Sequence, residues 1–517
     1  MIPIKTALIS VSDKSNLADL VLYFSKRNIS MIATGGTARF IRDLGYSVKE
    51  VSEVTGFPEI LGGRVKTLHP VIEGGILARR DLEGDVNDLK AHDINPIDCV
   101  VCNLYPFEKM MASGETSLEK VVEEIDIGGI TLLRASAKNF KHVVILSSPS
   151  QYSAFIEELE KNQGYFPLHL SGQYAIQAFL KSSEYDSNIA NYLSKLLMDN
   201  QGDDFPAYLS LIMKKKDSLR YGENPHQKAA LYEDLSLDRQ GFMNSYQQLG
   251  GKELSFNNLY DTQAAYSLVR EFTQPATVIV KHNNPCGVSI DPVLAQSAIK
   301  ALECDPASAF GGIIAFNQTV DHDTAMVFKN LFIEVVIAPE YQPEALKIFE
   351  SKKNLRILKA PLSIPPKYDI KKIDGGYLVQ NSDRISYDPN QLKTVTTLSP
   401  NETEKESLLF GWIVAKHVKS NAIILTQGLQ TVGIGAGQMS RIDSLKIACM
   451  KAGGKEVGSV LASDAFFPFP DVVEAAAEHG ITAIIQPGGS IHDQDSIEAC
   501  NRLGISMVFT GIRHFRH

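Results

Sequence analysis

The residues best able to do chemistry stand together in Val278–Gly287, which reads VIVKHNNPCG. Ala276 to Val280, rich in β-branched residues, reads as a buried strand. Lys281 and His282 follow at its carboxyl end, and Asn283, Asn284, Pro285 and Gly287 supply the turn formers that end it. In open α/β sheets, ligands gather beyond the carboxyl ends of strands. Successive strand residues face opposite sides, so Lys281 and His282 can serve one site only if the strand stops at or just after them. A histidine is a base near neutrality and a lysine a positive charge, the pair needed to move a proton while an anion develops. A lone Lys-His pair is more often a surface lysine beside a hydrogen-bonded histidine. What singles this one out is its company along the chain.

Residues 5–149 alternate short apolar strands with helical stretches, the pattern of a parallel sheet with covering helices. Thr6–Val11 is a first strand, with Ser12, Asp13 and Ser15 as N-cap candidates for the helix after it. Ser30–Ala33 is a second, ending in Thr34-Gly35-Gly36-Thr37 before a helix around Ala38–Leu44. Backbone N–H groups and hydroxyls at such a helix start suit a phosphate, with a plain strand-to-helix turn an equal alternative. In Leu61–Pro70, LGGRVKTLHP, Arg64 offers a fork for an anion and Lys66 a point charge, with Thr67 and His69 close behind. Val100–Phe107 ends in a loop carrying Asn103 and Tyr105, and Ile125–Asn139 opens on Asp126 and continues as a helix bearing Arg134 and Lys138. Together these loops form a toolkit for a phosphorylated, carbonyl-containing small molecule.

At 517 residues the chain should divide into two to four domains. A hydrophobic content of 44% with 21% charged residues is that of a globular protein, and the net charge of -9 argues against a nucleic-acid or membrane-surface binder. Six cysteines without regular spacing fit a reducing cytosol, and Cys99 and Cys102, three apart on a strand, face opposite ways. The chain starts without a cationic, long-apolar leader, and no apolar stretch approaches the roughly 20 residues that span a bilayer. A cytoplasmic protein is expected. Gln151–Asn162 and Ser171–Asn200 read as helices, and the linker Gln201–Asp204 puts the main boundary near residue 200.

Beyond it come LRYGENPHQ with Arg220 and Tyr221, a polar loop at Gly250–Asn258 that opens a helix at about Tyr260, and Phe310-Gly311-Gly312. Glu334 lies in an apolar strand, where an acid is costly unless partnered. Lys419-Ser420-Asn421 leads into another strand, and Arg513–His517 is a tail of the kind that frays. In TVGIGAGQ, Gln438 and Ser440 stand where the G-x-G-x-x-G pattern needs glycine, which argues against a dinucleotide oxidoreductase. Pro285-Cys286 is followed by Gly-Val-Ser, and no H-x-E pairs with a P-C-x-x-C, so a zinc deaminase site is excluded.

Seven stretches in order, RVKTLHP, NLYPF, IDIGG, RYGENPHQ, VKHNNPCG, FGGIIAFN and GIGAGQ, closely resemble one family across essentially the whole chain. It is the bifunctional purine-biosynthesis family that joins AICAR formyltransferase to IMP cyclohydrolase. The resemblance implies a methylglyoxal-synthase-like parallel-sheet α/β domain for ring closure at 1–199, with its core at about 1–149 and a helical extension at 150–199. It implies a larger transformylase region at 200–517, built of two cytidine-deaminase-like α/β subdomains without catalytic metal. The implied donor is 10-formyltetrahydrofolate, a co-substrate, and the implied partners are AICAR, formyl-AICAR and folate, with no nucleic acid and no membrane. A homodimer is implied, with formyl transfer at the subunit interface.

By the same resemblance, His282 is the base, Lys281 stabilises the oxyanion or protonates the leaving folate nitrogen, and Asn421 orients the formyl group. Arg220, Tyr221, Arg513 and His517 match nucleotide contacts, and Phe310, Gly311 and Glu334 match positions lining the site. For ring closure, Lys66, Tyr105, Asp126 and Lys138 match the residues of proton transfer and oxyanion stabilisation. Ser12, Lys14, Thr34, Gly36, Thr37, Arg64, Thr67 and Asn103 match the nucleotide-binding loops. In the tail, His514 and Arg516 interrupt the more apolar, His-rich ending of relatives. A binding-only regulator built on the first domain would account for the first 150 residues and leave the Lys-His, Arg-Tyr and later motifs without a role.

Overall fold

The computed structural model describes residues 1–105, 107, 110, 113–198, 205–235 and 241–517. The expected linker Gln201–Asp204 and the boundary near residue 200 lie outside the described residues. The chain forms two compact units, one over Met1–Ile212 and one holding Met213–Asp234 with most of the chain onward to His517. Among the described residues, no helix is long and apolar enough to cross a membrane.

In the first unit, strands β1 (Thr6–Val11), β2 (Ser30–Ala33), β3 (Lys49–Glu50), β4 (Cys99–Asn103) and β5 (Val144–Leu146) make a fully parallel sheet ordered β3-β2-β1-β4-β5. The strands are apolar on both faces because both faces are covered. Ala7 and Ile9 of β1 enter a core with Phe24 and Phe155, while Leu8 enters a second core with Val100 and Ile145. Cys99 and Cys102 fall in these two separate cores, and burial pushes both thiols up. The strand order reverses between β1 and β4, the place where a doubly wound sheet opens a crevice for a ligand. Four helices carry or adjoin expected site residues: α1 (Gly35–Asp43), α2 (Pro70–Leu77), α3 (Ile127–Lys138) and the 31-residue α4 (Leu168–Met198), which packs along α3. The cap expected from Ser12, Asp13 or Ser15 is absent. The helix Leu17–Lys26 follows Asn16, a left-handed residue with no side-chain cap, because Asn103 holds the loop before it.

The second unit is organised on twelve strands: β6 (Gln247–Gly250), β7 (Ala276–Lys281), β8 (Asn284–Ile290), β9 (Gly312–Phe316), β10 (Ile333–Ala338), β11 (Arg356–Lys359), β12 (Lys393–Thr394), β13 (Ile423–Gln427), β14 (Gln430–Gly435), β15 (Val460–Ser463), β16 (Ala483–Gln486) and β17 (Ser506–Phe509). Their order is β6-β11-β10-β9-β7-β8-β14-β13-β15-β16-β17-β12. The order reads as two α/β halves of one plan, back to back. Each half has a helix (α5, Phe256–Val269; α7, Glu402–Ala415), then an antiparallel hairpin (β7-β8; β13-β14), then a second helix (α6, Leu294–Cys304; α8, Arg441–Ala452) and parallel strands. The halves meet antiparallel at β8 and β14, where Ser289 faces Gln430.

Here one reading of the sequence is corrected. Asn284–Gly287 is not a loop that ends the Lys-His strand but the start of the return strand β8, so the turn is His282-Asn283 alone, with φ of 52° and 61°. A proline hid the strand. Pro285 is accommodated at a register shift opposite Val280, where a missing N–H is tolerated. The symmetry also explains two glycines. A Cβ on Gly287 would lie 1.9 Å from the Ala301 carbonyl oxygen of α6, and one on Gly433 would lie 2.1 Å from that of Ala448 in α8. Each hairpin is thus pressed against the helix after it. Gly287→Ala should lower the stability of the second unit by roughly 1–3 kcal/mol. Thermal unfolding would show this as a loss in the transition belonging to that unit.

Candidate active sites

In the first unit the loops after β1 and β4 are tied across the order reversal. Asn103 Oδ1 accepts the N–H groups of Ser12 (2.8 Å) and Asp13 (2.9 Å), and Asn103 Nδ2 donates to the Asp13 carbonyl (2.8 Å). That commitment prevents the expected cap and shapes Ser12–Lys14 as a loop. Thr34 precedes α1 without capping it, Thr37 Oγ1 meets the Val11 N–H at 3.3 Å, and among the described residues no side chain takes the helix-start N–H groups of Gly35 and Gly36. Gly63, at φ 91°, has Lys66 Cε where a Cβ would be, 2.7 Å away, so the lysine folds back over its own loop, 3.6 Å from Glu59. Arg64 pairs with Glu123 at 2.5 Å on the surface. Thr67 is buried and Tyr105 is exposed. Asp126 caps α3 by accepting the Gly129 N–H at 2.7 Å, and its own N–H is held by the Tyr185 hydroxyl at 2.8 Å.

Lys138 stands apart from this group. It is the last residue of α3 and Asp126 the residue before its first, so twelve rises of 1.5 Å put the two Cα atoms about 18 Å apart. At that far end Lys138 lines two adjoining clefts of about 410 and 500 Å³ with Glu73, Arg134, His169 and Phe179. Glu73 is pushed up by burial, and one of its carboxylate oxygens has no hydrogen-bond partner among the described residues.

In the second unit, α5 draws the expected residues together. Its cap Ser255 takes the Asn258 N–H. Asn257 donates to the Glu223 carbonyl (3.3 Å), which holds the Arg220-Tyr221 loop. Asn258 donates to Glu334 (2.9 Å), whose other partner is Arg356 (3.0 Å), so the acid in its apolar strand is compensated. Asp261 accepts the Asn283 N–H (2.9 Å) at the Lys-His turn. Lys281 Nζ donates to the carbonyls of Phe310 (3.1 Å) and Gly311 (2.8 Å), which leaves one of its three donors for a ligand. Phe310 and His282 are exposed. The other half of the sheet reaches the same place, for Asn284 Oδ1 accepts the Lys419 N–H at 3.0 Å, next to Ser420 and Asn421.

The tail does not fray. The Arg516 N–H donates to Ser420 Oγ (3.1 Å) and the Ser420 N–H to the Arg516 carbonyl (2.9 Å), while Ser420 Oγ donates to Asp464, which Arg441 meets at 3.3 Å. His514, buried, bonds Asp383 (2.6 Å) and the Ser386 carbonyl (2.9 Å). Arg513 and His517 thereby sit on a fixed backbone. Arg513 packs over Phe515 at 4.8 Å and His517 lies 5.6 Å from it.

Comparison with known proteins decides the family. The family model of the AICARFT/IMPCHase bienzyme matches residues 136–451, and that of the MGS-like domain matches 16–131. The chain belongs to the AICARFT/IMPCHase bienzyme family. The bifunctional purine biosynthesis protein PurH of Thermoanaerobacter sp. is 50% identical over 99% of this chain and 100% of its own length. The PurH proteins of Bacillus subtilis and Synechocystis sp. are 47% and 48% identical over the same shares. As an AICARFT/IMPCHase bienzyme, the protein carries out the last two steps of purine biosynthesis, formyl transfer to AICAR and closure of formyl-AICAR to IMP. The MGS-like domain is the parallel-sheet unit and the large mixed sheet belongs to the C-terminal region.

Three features of this bienzyme escaped the reading of its sequence: Asp261, the Ser420–Asp464–Arg441 cluster, and a buried charge centre at Glu271. Glu271 Oε1 accepts from Lys416 (3.1 Å) and from His417 Nε2 (3.0 Å), and Ser386 Oγ donates to Oε2 (3.2 Å). Burial alone would raise Glu271, but the His417 hydrogen bond and the nearby positive charges override it and hold the carboxyl at about 2. Burial lowers His417 to about 4, so its ring is neutral at pH 7. With Nε2–H given to Glu271, Nδ1 is free to accept from Arg516 at 3.2 Å. A histidine with a lowered folded-state pKa takes up its proton in the unfolded chain first, so stability falls as pH drops from about 6.5 to about 4. Glu271 extends the fall below about 4.5, where the unfolded carboxylate binds a proton and the folded one does not. Denaturant midpoints of the second unit should therefore decline from pH 6.5 to 4, by on the order of 2–3 kcal/mol in stability, and a folded His417→Gln protein should lose most of that first decline.

Proposed function

We propose that formyl transfer takes place at the Lys281-His282 turn and ring closure at the β1–β4 crevice, with 10-formyltetrahydrofolate as the donor and no catalytic metal. The observation that carries this is the convergence on α5, which ties the Arg220-Tyr221 loop, Glu334 and the His282 turn to successive turns of one helix. The AICAR 5-amine attacks the formyl carbon, His282 takes the proton lost by the amine, and the bond from formyl carbon to the folate nitrogen breaks as that nitrogen is protonated. Lys281, positioned by two carbonyls, faces the developing oxyanion with its remaining N–H, and Asn421 orients the formyl group. Arg220, Tyr221, Arg513 and His517 hold the nucleotide, with Phe310, Gly311 and Glu334 lining the site.

For closure, the carboxamide nitrogen attacks the new formyl carbon and water leaves. The reaction is intramolecular, so holding a reactive conformer supplies much of the acceleration. Ser12, Lys14, Thr34, Gly36, Thr37, Arg64, Thr67 and Asn103 bind the nucleotide, while Lys66, Tyr105 and Asp126 handle protons and the oxyanion. We assign this work to residues 1–199 and formyl transfer to residues 200–517, in a cytoplasmic homodimer whose only other partners are its small-molecule substrates. The dimer gains support from Lys138. A lysine side chain cannot cover about 18 Å along a rigid helix, so Lys138 would act on the crevice of a second copy.

Two experiments test these assignments. His282→Ala should reduce formyl transfer by roughly 10²–10⁴-fold and leave formyl-AICAR closure near normal, whereas Lys66→Ala should accumulate formyl-AICAR. Loss of both activities in either folded variant would contradict two separate sites. Lys66→Ala and Lys138→Ala proteins, each inactive in closure, should regain up to about a quarter of the parent activity when re-associated as mixed dimers. No recovery in verified mixed dimers would place Lys138 in its own subunit's site or in none.

A further inference from the structure

His282 and Asn283 both hold left-handed backbone, with φ of 52° and 61°. A two-residue hairpin turn with two positive φ values favours asparagine and glycine, and Asn283 suits it. A histidine there carries the Cβ crowding that glycine escapes, although it visits this region more readily than most side chains. Two side chains hold this turn: Asn284 Nδ2 donates to the His282 carbonyl at 3.4 Å, and Asp261 reaches it from α5. Asp261, in the second turn of α5, accepts the Asn283 N–H at 2.9 Å. Its carboxyl is half-buried and pushed up by burial, with the N–H groups of Asn283 and His282 and the charges of His282 and Lys281 pulling it back. The charged and titratable groups about the turn are Lys281 on its own strand, Asp261 on α5 with Tyr260 next to it, and Lys419 in the adjoining loop, while Arg516 in the tail interacts with Tyr260 and with Asp369. Asp261 is the acid bonded to the turn.

We propose that Asp261 is a positioning residue for formyl transfer, which holds the left-handed turn that presents His282 and stabilises the imidazolium formed when His282 takes the amine proton. The proposal rests on His282 being the base. The proton passes from the amine nitrogen to the imidazole as the new C–N bond forms, and Asp261 stays ionised beside it and touches no reacting atom. A carboxylate next to a histidine favours its charged form, so the charge and the hydrogen bond of Asp261 act in separable ways.

Asp261→Asn keeps an oxygen that can accept the Asn283 N–H but removes the charge. It should lower kcat for formyl transfer about tenfold with the AICAR KM within about twofold, and shift the apparent pKa of the kcat/KM profile downward by roughly half a unit to one unit. Asp261→Glu keeps the charge but displaces the carboxylate, so it should hold the apparent pKa and lose turnover. Closure of formyl-AICAR should be unchanged in both. A pH profile and turnover in Asp261→Asn that match the parent would overturn the proposal. If that variant does not fold, an Asp261→Glu protein with parental turnover overturns it equally. His282→Ala, measured alongside, separates the two failures: retained formyl transfer there removes the base assignment itself, whereas its loss leaves the Asp261 variants as the test.

Discussion

Glu271 is a largely buried carboxylate, and side chains from two distant stretches of the second unit are committed to satisfying it. A buried charge is tolerated only when paired and hydrogen-bonded, and removing one partner of such a group commonly costs about 3–5 kcal/mol. Here the partners come from stretches far apart in sequence: Ser386 from an extended segment, Lys416 and His417 from the end of α7. Because the carboxylate fixes which imidazole nitrogen carries the proton, the other nitrogen is committed to Arg516, and Arg516 is bonded through its backbone to Ser420. That charge thus contributes to placing the tail, beside the His514–Asp383 pair and the Ser420 bonds, although Glu271 is far from the tail in sequence.

The doubled sheet shows how a site arises between two similar halves. Each half supplies a hairpin, and the seam between them runs antiparallel, with Thr431 Oγ1 accepting the Val288 N–H across it at 2.9 Å. Antiparallel joining places the turn of one hairpin beside the loop that enters the other. At one end this unites His282-Asn283 with Lys419–Asn421. At the other end the corresponding turn is Gly428-Leu429, with no ionisable side chain. The architecture is duplicated, while an ionisable turn occurs in one hairpin and not in the other.

Much of this was legible in the residues. The strands of the first unit follow from apolar runs between glycine-rich loops, and the Lys-His pair announces itself by standing at the end of a β-branched stretch. What could not be read is instructive. Asn284 and Pro285 read as a loop, yet tertiary pairing made them a strand because the shifted register removes the need for a proline N–H. Asp261 and Glu271 give no local signal, since an acid in or just after a helix is ordinary and only the fold reveals what it faces. The docked tail was illegible for the same reason, its anchors lying about a hundred residues or more upstream. The separation of Lys138 from Asp126, by contrast, comes from counting residues along a helix whose length the sequence already suggested.

One indole lies inside this arrangement. Trp412 is the only tryptophan in the chain; it is fully buried, donates its Nε1–H to the Ser386 carbonyl at 2.7 Å, and has the His514 ring 5.0 Å from its own. All of the protein's tryptophan fluorescence therefore originates where the tail meets α7 and the segment around Ser386. Emission from an indole in a dry, hydrogen-bonded pocket moves to longer wavelength when water reaches it. The enzyme consequently carries an intrinsic optical gauge of tail docking, free of background from the first unit and readable without any label.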